Sequence, residues 1–256
     1  MADERDVHVH LLPELAPAGA LAGSTAIVID VLRSTTTIVH ALAAGCNDVR
    51  PCADLEEARR LAGSMRAGKV LLGGERGGVP LPDFDLGNSP REYQSKNCKG
   101  TSLVLTTTNG VKAFVRAAEA DRVLAAAFVN FSAVCEQLRQ EPRPVHIICA
   151  GSKGEVVLED TLLAGALIDC LCETVDGVRL NDGARLAWDC FEHHGRVLEG
   201  ALEVSAGGVQ LRGLGYDEDV HAAARVDQFP LVPELRRDPL RVEVAAAGIA
   251  KDHWLR

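Results

Sequence analysis

One sequence pattern recurs along the chain and limits the folds that it can adopt. A short apolar, β-branched run is followed by small polar residues and then by an amphipathic stretch rich in Ala and Leu. The apolar runs are Thr25–Val31, Lys69–Leu72, Ser102–Thr106, Arg122–Ala127 and Val145–Cys149. Successive strand-loop-helix units are typical of parallel sheets with helices on both faces. We therefore predict an α/β fold with three α/β/α layers. Its central sheet is expected to be mainly parallel, and a mixed sheet with some antiparallel pairs is left open.

The polar loops of these units define where a site is expected. Right-handed crossovers bring the loops after parallel strands to one edge of the sheet, where ligands of open α/β sheets bind. From about residue 181 the pattern becomes mostly helical, and no Pro- or Ser-rich linker precedes it. We interpret that part as covering structure within one domain of residues 1–256.

The net charge limits the kinds of partner that are expected, and the cysteines bear on the cellular compartment. The formal charge of −9 argues against affinity for nucleic acid or for anionic membranes, because both select faces rich in Lys and Arg. A small anionic molecule is the expected partner. The eight cysteines form no Cys-x-x-Cys pair, and no window reaches the roughly 20 apolar residues of a membrane span. We expect a cytoplasmic protein, and homo-oligomer formation is left open.

The first polar loop combines a carboxylate with anion-binding groups. Asp30 ends a very apolar run, and Arg33, Ser34, Thr35 and Thr36 follow it. A carboxylate there can hold a hard divalent ion, while arginine, hydroxyl and backbone N–H donors at a helix start suit phosphate oxygens. The alternative is that Asp30 and Ser34 only cap the helix, which these residue types often do.

Two further loops repeat this chemistry. Glu75 and Arg76 stand among four glycines, which let the backbone approach a ligand closely, so the loop again offers a metal carboxylate and an anion-binding arginine. The second loop lies between a strand and a helix and forms a polar nest able to hold an anion. Its members are Thr107, Thr108, Asn109 and Gly110.

A pair of acids completes the candidate metal site. Glu159 and Asp160 begin a long apolar helix, where acids also serve as ordinary caps. Together with Asp30 and Glu75 they would bring several carboxylates to one edge of the sheet. Such carboxylates repel one another, and bound Mg²⁺ would relieve the repulsion. We expect Mg²⁺ as the cofactor, held by Asp30, Glu75, Glu159 and Asp160.

Three familiar phosphoryl-transfer mechanisms each need a residue or a motif that this sequence lacks. A cysteine phosphatase built on Cys149 would need arginine six residues on, where Glu155 stands. An aspartyl-phosphate phosphatase built on Asp30 would need an acid two residues on, where Leu32 stands. The chain also contains no Gly-x-x-x-x-Gly-Lys-[Ser/Thr] sequence, which argues against a P-loop enzyme.

The same segments resemble the 2-phosphosulfolactate (ComB-like) phosphatase family. The resemblance rests on five ordered motifs, joined by the early 11–14 segment and the late segment around Asp219: residues 29–36, 74–78, 84–90, 105–110, and 149–151 with 158–160. Ser34 departs from the alanine expected in many relatives. The resemblance implies Mg²⁺-dependent hydrolysis of (R)-2-phospho-3-sulfolactate to sulfolactate and phosphate, a step toward coenzyme M.

The residues and the resemblance together suggest roles. Asp30, Arg33 and Arg76 are the predicted catalytic residues, with metal-bound water and a carboxylate left open as the attacking group. The sulfonate and carboxylate of the substrate need further donors, for which Asn88 and Lys153 are candidates. Two other functions are kept: a phosphatase for another phosphorylated hydroxy acid, and a non-catalytic module that binds anionic metabolites.

Overall fold

A computed structural model describes residues 4–65 and 68–245, so residues 1–3, 66–67 and 246–256 of the predicted domain lie outside it. The strands it describes are β1 Arg5–His10, β2 Thr25–Ile29, β3 Asp48–Cys52, β4 Lys69–Arg76, β5 Val79–Pro80, β6 Thr101–Thr106, β7 Arg122–Ala126, β8 Val145–Cys149, β9 Val178–Leu180, β10 Pro233–Arg237 and β11 Leu240–Val244. The α-helices are α1 Ser34–Ala43, α2 Leu55–Ser64, α3 Ser95–Cys98, α4 Gly110–Ala117, α5 Phe131–Arg139, α6 Leu158–Thr174, α7 Asp182–His194, α8 Leu198–Val204, α9 Ala206–Gly213 and α10 Asp217–Ala223.

All eleven described strands join one mixed sheet, in the order β5-β4-β6-β3-β11-β10-β7-β2-β8-β1-β9. Strands β4, β6 and β3 form one parallel block, and β7, β2, β8, β1 and β9 form another. Helices cover both faces. The predicted α/β class with a mainly parallel, partly mixed sheet is confirmed.

The hairpin β10–β11 joins the two blocks, and sequence analysis did not foresee it. It pairs antiparallel with β7 on one side and with β3 on the other, and its own two strands are antiparallel. Three antiparallel steps reverse the strand direction between the blocks. The expectation that all polar loops follow strands ending at one edge is therefore wrong for this sheet.

Helices α1 and α4 explain how loops from both blocks still meet. Alternate residues of each strand face opposite sides of the sheet. On one side, a single apolar cluster joins α1 and α4 to both blocks, through Val28 of β2 and Leu105 of β6. On the other side, Ile27 and Ile147 pack with α5, α6 and α7. The N-termini of α1 and α4 therefore lie together.

The glycine-rich segment after Leu72 was expected to be a loop, but most of it belongs to a strand. Strand β4 continues through Glu75 and Arg76 and turns back at Gly77 and Gly78 into β5. A side chain on Gly74 would collide with the Thr106 carbonyl, and its φ of +154° lies in a region that L side chains rarely adopt. Glycine therefore lets β4 and β6 approach at the point where both enter the site. No helix in the described parts of the chain is long and apolar enough to cross a bilayer.

Candidate active site

The loop after β2 is built around Asp30. The Ser34 N–H donates to Asp30 Oδ1 at 3.1 Å, so the carboxylate caps α1. The Thr35 and Thr36 hydroxyls turn away from it and donate to the Asp30 and Val31 carbonyls. These two threonines, predicted to bind phosphate, therefore shape the turn that presents Asp30.

Two acids at the start of α6 face the same place but have different partners. Asp160 accepts from the Val31 N–H at 2.8 Å and from the Gly151 N–H at 3.0 Å, so it ties together the ends of β2 and β8. Glu159 is buried, and its Oε2 atom has no hydrogen-bond partner. Of the two acids, Glu159 keeps an oxygen available for a ligand.

Glu75 holds the other block to the site. Its Oε1 atom accepts from both the N–H and the hydroxyl of Thr108, and its Oε2 atom accepts from the Gly78 N–H at 2.6 Å. Arg76 lies beside it but donates to the Thr106 hydroxyl and to the Glu75 carbonyl. Glu75 thus joins the β4 turn to the loop after β6, and Arg76 ties β4 to β6.

Arg33 is fixed by groups from three parts of the chain. Its Nη1 atom donates to Asp219 of α10 at 2.7 Å and its Nη2 atom to the Gly78 carbonyl at 2.8 Å. The guanidinium lies 4.7 Å above the Tyr216 ring, and the Ser89 hydroxyl donates to the second Asp219 oxygen. Arg33 and Asp219 are almost fully buried. A guanidinium has five N–H donors, so others remain for a ligand.

Residues from these loops and turns line one cleft. Ten of the predicted site residues line it: Asp30, Arg33, Glu75, Asn88, Thr107, Thr108, Asn109, Lys153, Glu159 and Asp160. Five others do not line it: Ser34, Thr35, Thr36, Arg76 and Gly110. A side chain on Gly110 would lie 2.7 Å from Asp30 Oδ2, so glycine lets α4 begin against that carboxylate.

Crowded carboxylates dominate the electrostatics of the cleft. Burial, with the charges of Glu75 and Glu159, raises the pKa of Asp30 to about 7. Burial also raises the pKa of Glu159, and burial with the charges of Asp30 and Glu159 raises that of Asp160 well above its usual range. Ionising all of these groups together is therefore costly unless a cation offsets their charges.

Two orphaned oxygens, buried atoms that lack a hydrogen-bond partner, bear on whether the cleft suits a metal ion. Four buried side-chain polar atoms of the described residues lack a hydrogen-bond partner, and two of them, Asn88 Oδ1 and Glu159 Oε2, belong to residues that line the cleft. A buried oxygen without a partner is costly unless something binds it. Carboxylate and amide oxygens are the ligands of Mg²⁺. The donor set therefore fits a hard divalent cation.

The C-terminal helices contribute residues that sequence analysis treated as covering structure. Gly207, Gln210 and Leu211 of α9 line the cleft, and the Gln210 side chain donates to the Gly77 carbonyl. Gly207 also lies close against Glu159, because a Cβ atom at this position would overlap Glu159 Oε1. Ser152 was missed as well, although it follows β8 as directly as the acids follow their strands.

We predict that Gly207→Ala lowers the activity of the site by at least about tenfold, whereas the free energy of unfolding changes little. A Cβ atom at position 207 would overlap Glu159 Oε1 and Leu32, so the carboxylate must move. Alanine otherwise favours a helix over glycine by up to about 1 kcal/mol. Steady-state kinetics and thermal unfolding would measure the two effects.

Gly213→Ala is the matched control, because it lies in the same helix and its side chain would meet open space. Equal losses of activity in the two variants would contradict the importance of the contact between Gly207 and Glu159.

Comparison with known proteins agrees with this geometry. A family model described as 2-phosphosulpholactate phosphatase matches residues 10–238. The chain belongs to the 2-phosphosulfolactate phosphatase family. Family membership makes the chain an enzyme of the phosphoric monoester hydrolase class, and the resemblance noted in the sequence is confirmed.

Three relatives of this family carry the name "Probable 2-phosphosulfolactate phosphatase". The protein from Symbiobacterium thermophilum is 40% identical over 86% of this chain and 94% of its own length. The one from Thermotoga petrophila is 40% identical over 86% of this chain and 93% of its own length. The one from Parasynechococcus marenigrum is 40% identical over 87% and 93%, respectively. Likeness to family members thus extends over nearly their whole length.

Proposed function

We propose that this enzyme hydrolyses (R)-2-phospho-3-sulfolactate to sulfolactate and phosphate with Mg²⁺, as a step in the formation of coenzyme M. The observation that carries the Mg²⁺ requirement is the pair of orphaned oxygens, Asn88 Oδ1 and Glu159 Oε2, in a cleft that also contains Asp30. The names of the family and of its relatives support the substrate.

The charges of the cleft support a divalent cofactor. Four acids, Asp30, Glu75, Glu159 and Asp160, line it against two cations, Arg33 and Lys153. Arg33 is already paired with Asp219. A substrate with phosphate, sulfonate and carboxylate groups would enter this acidic cleft against repulsion unless a cation offset the charge.

The residues divide into ligands and supports. Asp30, Glu159 and Asn88 would hold Mg²⁺, whereas Glu75 and Asp160 are engaged with backbone N–H groups and fix the loops. When bound, Mg²⁺ would offset the charge of the phosphoryl group and polarise one of its oxygens.

Several donors of the chain suit the remaining anionic groups. The free N–H groups of Arg33 and the hydroxyl of Thr107 are suited to the other phosphoryl oxygens, whereas the Thr108 hydroxyl already donates to Glu75. The N-terminus of α4 adds its dipole. Lys153, exposed at the rim, is suited to the sulfonate or the carboxylate.

Phosphate release from 2-phosphosulfolactate, with Mg²⁺ and with excess chelator, tests the proposal. We expect release that chelator abolishes and added Mg²⁺ restores. A panel with phospholactate and phosphoglycerate, compared by kcat/KM, tests the substrate. A higher value for a phosphate ester without a sulfonate would overturn the assignment. Thermal stabilisation by 2-phosphosulfolactate without phosphate release would favour the non-catalytic binding module.

Mg²⁺ is expected to stabilise the protein more at about pH 8 than at about pH 5.5. The pKa of Asp30 is raised to about 7 in the folded protein, above its usual 3.8. In the metal-free protein this group therefore contributes stability that is complete below about pH 4 and is lost as the pH rises through 7. Mg²⁺ favours the ionised carboxylate, so it restores most stability where most was lost.

Thermal unfolding across this pH range, with Mg²⁺ and with chelator, measures the effect. Asp30→Asn removes the titration and should make the Mg²⁺ shift smaller and less dependent on pH. A shift of equal size at both pH values in the unsubstituted protein would contradict a metal bound to Asp30.

A further inference from the structure

Two neighbouring strands outside the cleft place three histidines on one face of the sheet. His8 and His10 alternate in β1 and so share a face, and β1 pairs with β8 such that His8 lies opposite His146. The His146 ring centroid lies 4.7 Å from that of His8 and 5.2 Å from that of His10, with nearly parallel planes. A His-x-His strand and its neighbour thus bring three imidazoles together.

Two of these rings are buried and keep neutral nitrogens. His10 Nε2 lies 2.9 Å from His146 Nδ1, and each residue is 6% exposed. Burial, with the nearby charge of His8, lowers the pKa of His10 and lowers that of His146 to about 4. A neutral imidazole has one nitrogen with a free lone pair, the form that binds metals.

The cluster faces a groove that is also lined by the polar residues Asp6, Ser24 and Asn181. His8, His10 and His146 all line it, beside small apolar residues such as Ala20 and Pro144. Both residues of the His10 Nε2–His146 Nδ1 pair therefore border an open space through which a metal ion could reach them.

The neighbouring charged groups are already engaged. Asp6, two residues before His8 in β1, pairs with Arg179 through two bonds of 2.8 Å. What remains for a ligand is a set of imidazole lone pairs.

We propose that His8, His10 and His146 bind a divalent transition metal ion of the Zn²⁺ class, at a site separate from the acidic cleft. Imidazole suits Zn²⁺, Ni²⁺ and Cu²⁺, whereas Mg²⁺ prefers oxygen. Two nitrogens on one Zn²⁺ lie roughly 3.3 Å apart for bonds of about 2.0 Å at a tetrahedral angle. The 2.9 Å that separates His10 Nε2 from His146 Nδ1 is close to this value, so a metal held by both atoms would replace the hydrogen bond between them. One nitrogen from each of the three residues does not yet lie within 4.8 Å of the others, so the half-buried His8 would complete the set by side-chain rotation. The groove leaves room for water.

The test uses tag-free, Mg²⁺-saturated full-length protein titrated with Zn²⁺ by calorimetry. We expect one equivalent to bind at the cluster, with affinity lowered at least about tenfold by His146→Gln and by His8→Gln. His8→Gln is decisive, because that ring is half-buried and has no hydrogen bond with a described residue, so the variant should fold. The matched control is His193→Gln with His194→Gln, a pair near the end of α7, which should leave the affinity unchanged.

Two alternative Zn²⁺ sites must be distinguished from the histidine cluster. Glu199, Glu203 and His221 offer ligand atoms within 4.8 Å of one another on α8 and α10, so loss of binding in His221→Gln with full binding in His8→Gln would overturn the proposal. The visible spectrum with Co²⁺ should show tetrahedral nitrogen ligation without a thiolate charge-transfer band. Such a band, or no binding of Zn²⁺ at all, would reduce the cluster to a hydrogen-bonded core pair. Phosphate release with Mg²⁺ is independent of either result.

Discussion

Asn in place of Asp30 is expected to lower Mg²⁺-dependent kcat by about a thousandfold or more, with the fold intact. Asp30 lies where the N-termini of α1 and α4 meet, and its carboxylate is crowded by Glu75 and Glu159. An amide keeps the shape but loses the charge that would hold the cation. Stabilisation of transition-state charge by a metal is worth several kcal/mol, and each 1.4 kcal/mol is about tenfold in rate.

Steady-state kinetics at saturating Mg²⁺ and calorimetry of Mg²⁺ binding measure the two parts of this effect. Asp217→Asn is the control, because Asp217 is half-exposed on α10 and away from the cleft. A variant at position 30 that turns over normally would remove Asp30 from the mechanism. Normal Mg²⁺ affinity with lost turnover would instead give Asp30 a role other than metal binding.

Ala in place of Asp219 is expected to destabilise the protein by about 3–5 kcal/mol and to lower kcat/KM strongly. The substitution leaves the Arg33 guanidinium buried without its charge partner, which is costly. It also removes the acceptor of the Ser89 hydroxyl. Arg33 would keep the Gly78 carbonyl and the Tyr216 ring, but its direction toward the cleft would no longer be fixed.

Chemical denaturation measures the free energy of unfolding. A double-mutant cycle distinguishes an effect of Asp219 on the position of Arg33 from a general effect on the fold. If Asp219 acts through Arg33, Asp219→Asn should lower kcat/KM much less in an Arg33→Lys background than alone. Equal losses in both backgrounds would mean that Asp219 is only structural. Asp217→Ala, in the same helix, should change stability by less than about 0.5 kcal/mol.

The strands of the site could be predicted because each is a local pattern. Runs rich in β-branched and other apolar residues, such as Thr25–Ile29 and Val145–Cys149, are buried throughout, and polar residues after them enter the cleft. These runs differ from helices in length and composition, so the position of Asp30 followed directly. The acids could be chosen from the sequence, but their division into free and hydrogen-bonded oxygens depends on distant backbone groups.

The hairpin β10–β11 could not be predicted in the same way. Arg236 pairs with Glu243 across the hairpin and with Glu234 in its own strand, and Arg241 pairs with Glu243 within β11. With so many charged residues, the segment has too few apolar residues to suggest a central strand. Its place between β3 and β7 is fixed by few pairings with partners more than 100 residues away. The roles of Gly207 and Asp219 were hidden for the same reason, because both contacts join distant segments.

The position of that hairpin has a consequence for how the chain is made. Of the described strands, β10 and β11 leave the ribosome last, and they are the ones that join the two parallel blocks. Until then, β7 and β3 each present an unpaired edge. Open edges of this kind invite pairing between chains, and sheets that depend on such distant contacts form slowly. A nascent chain that stops before residue 233 would therefore hold most of the residues of the cleft but remain prone to aggregation.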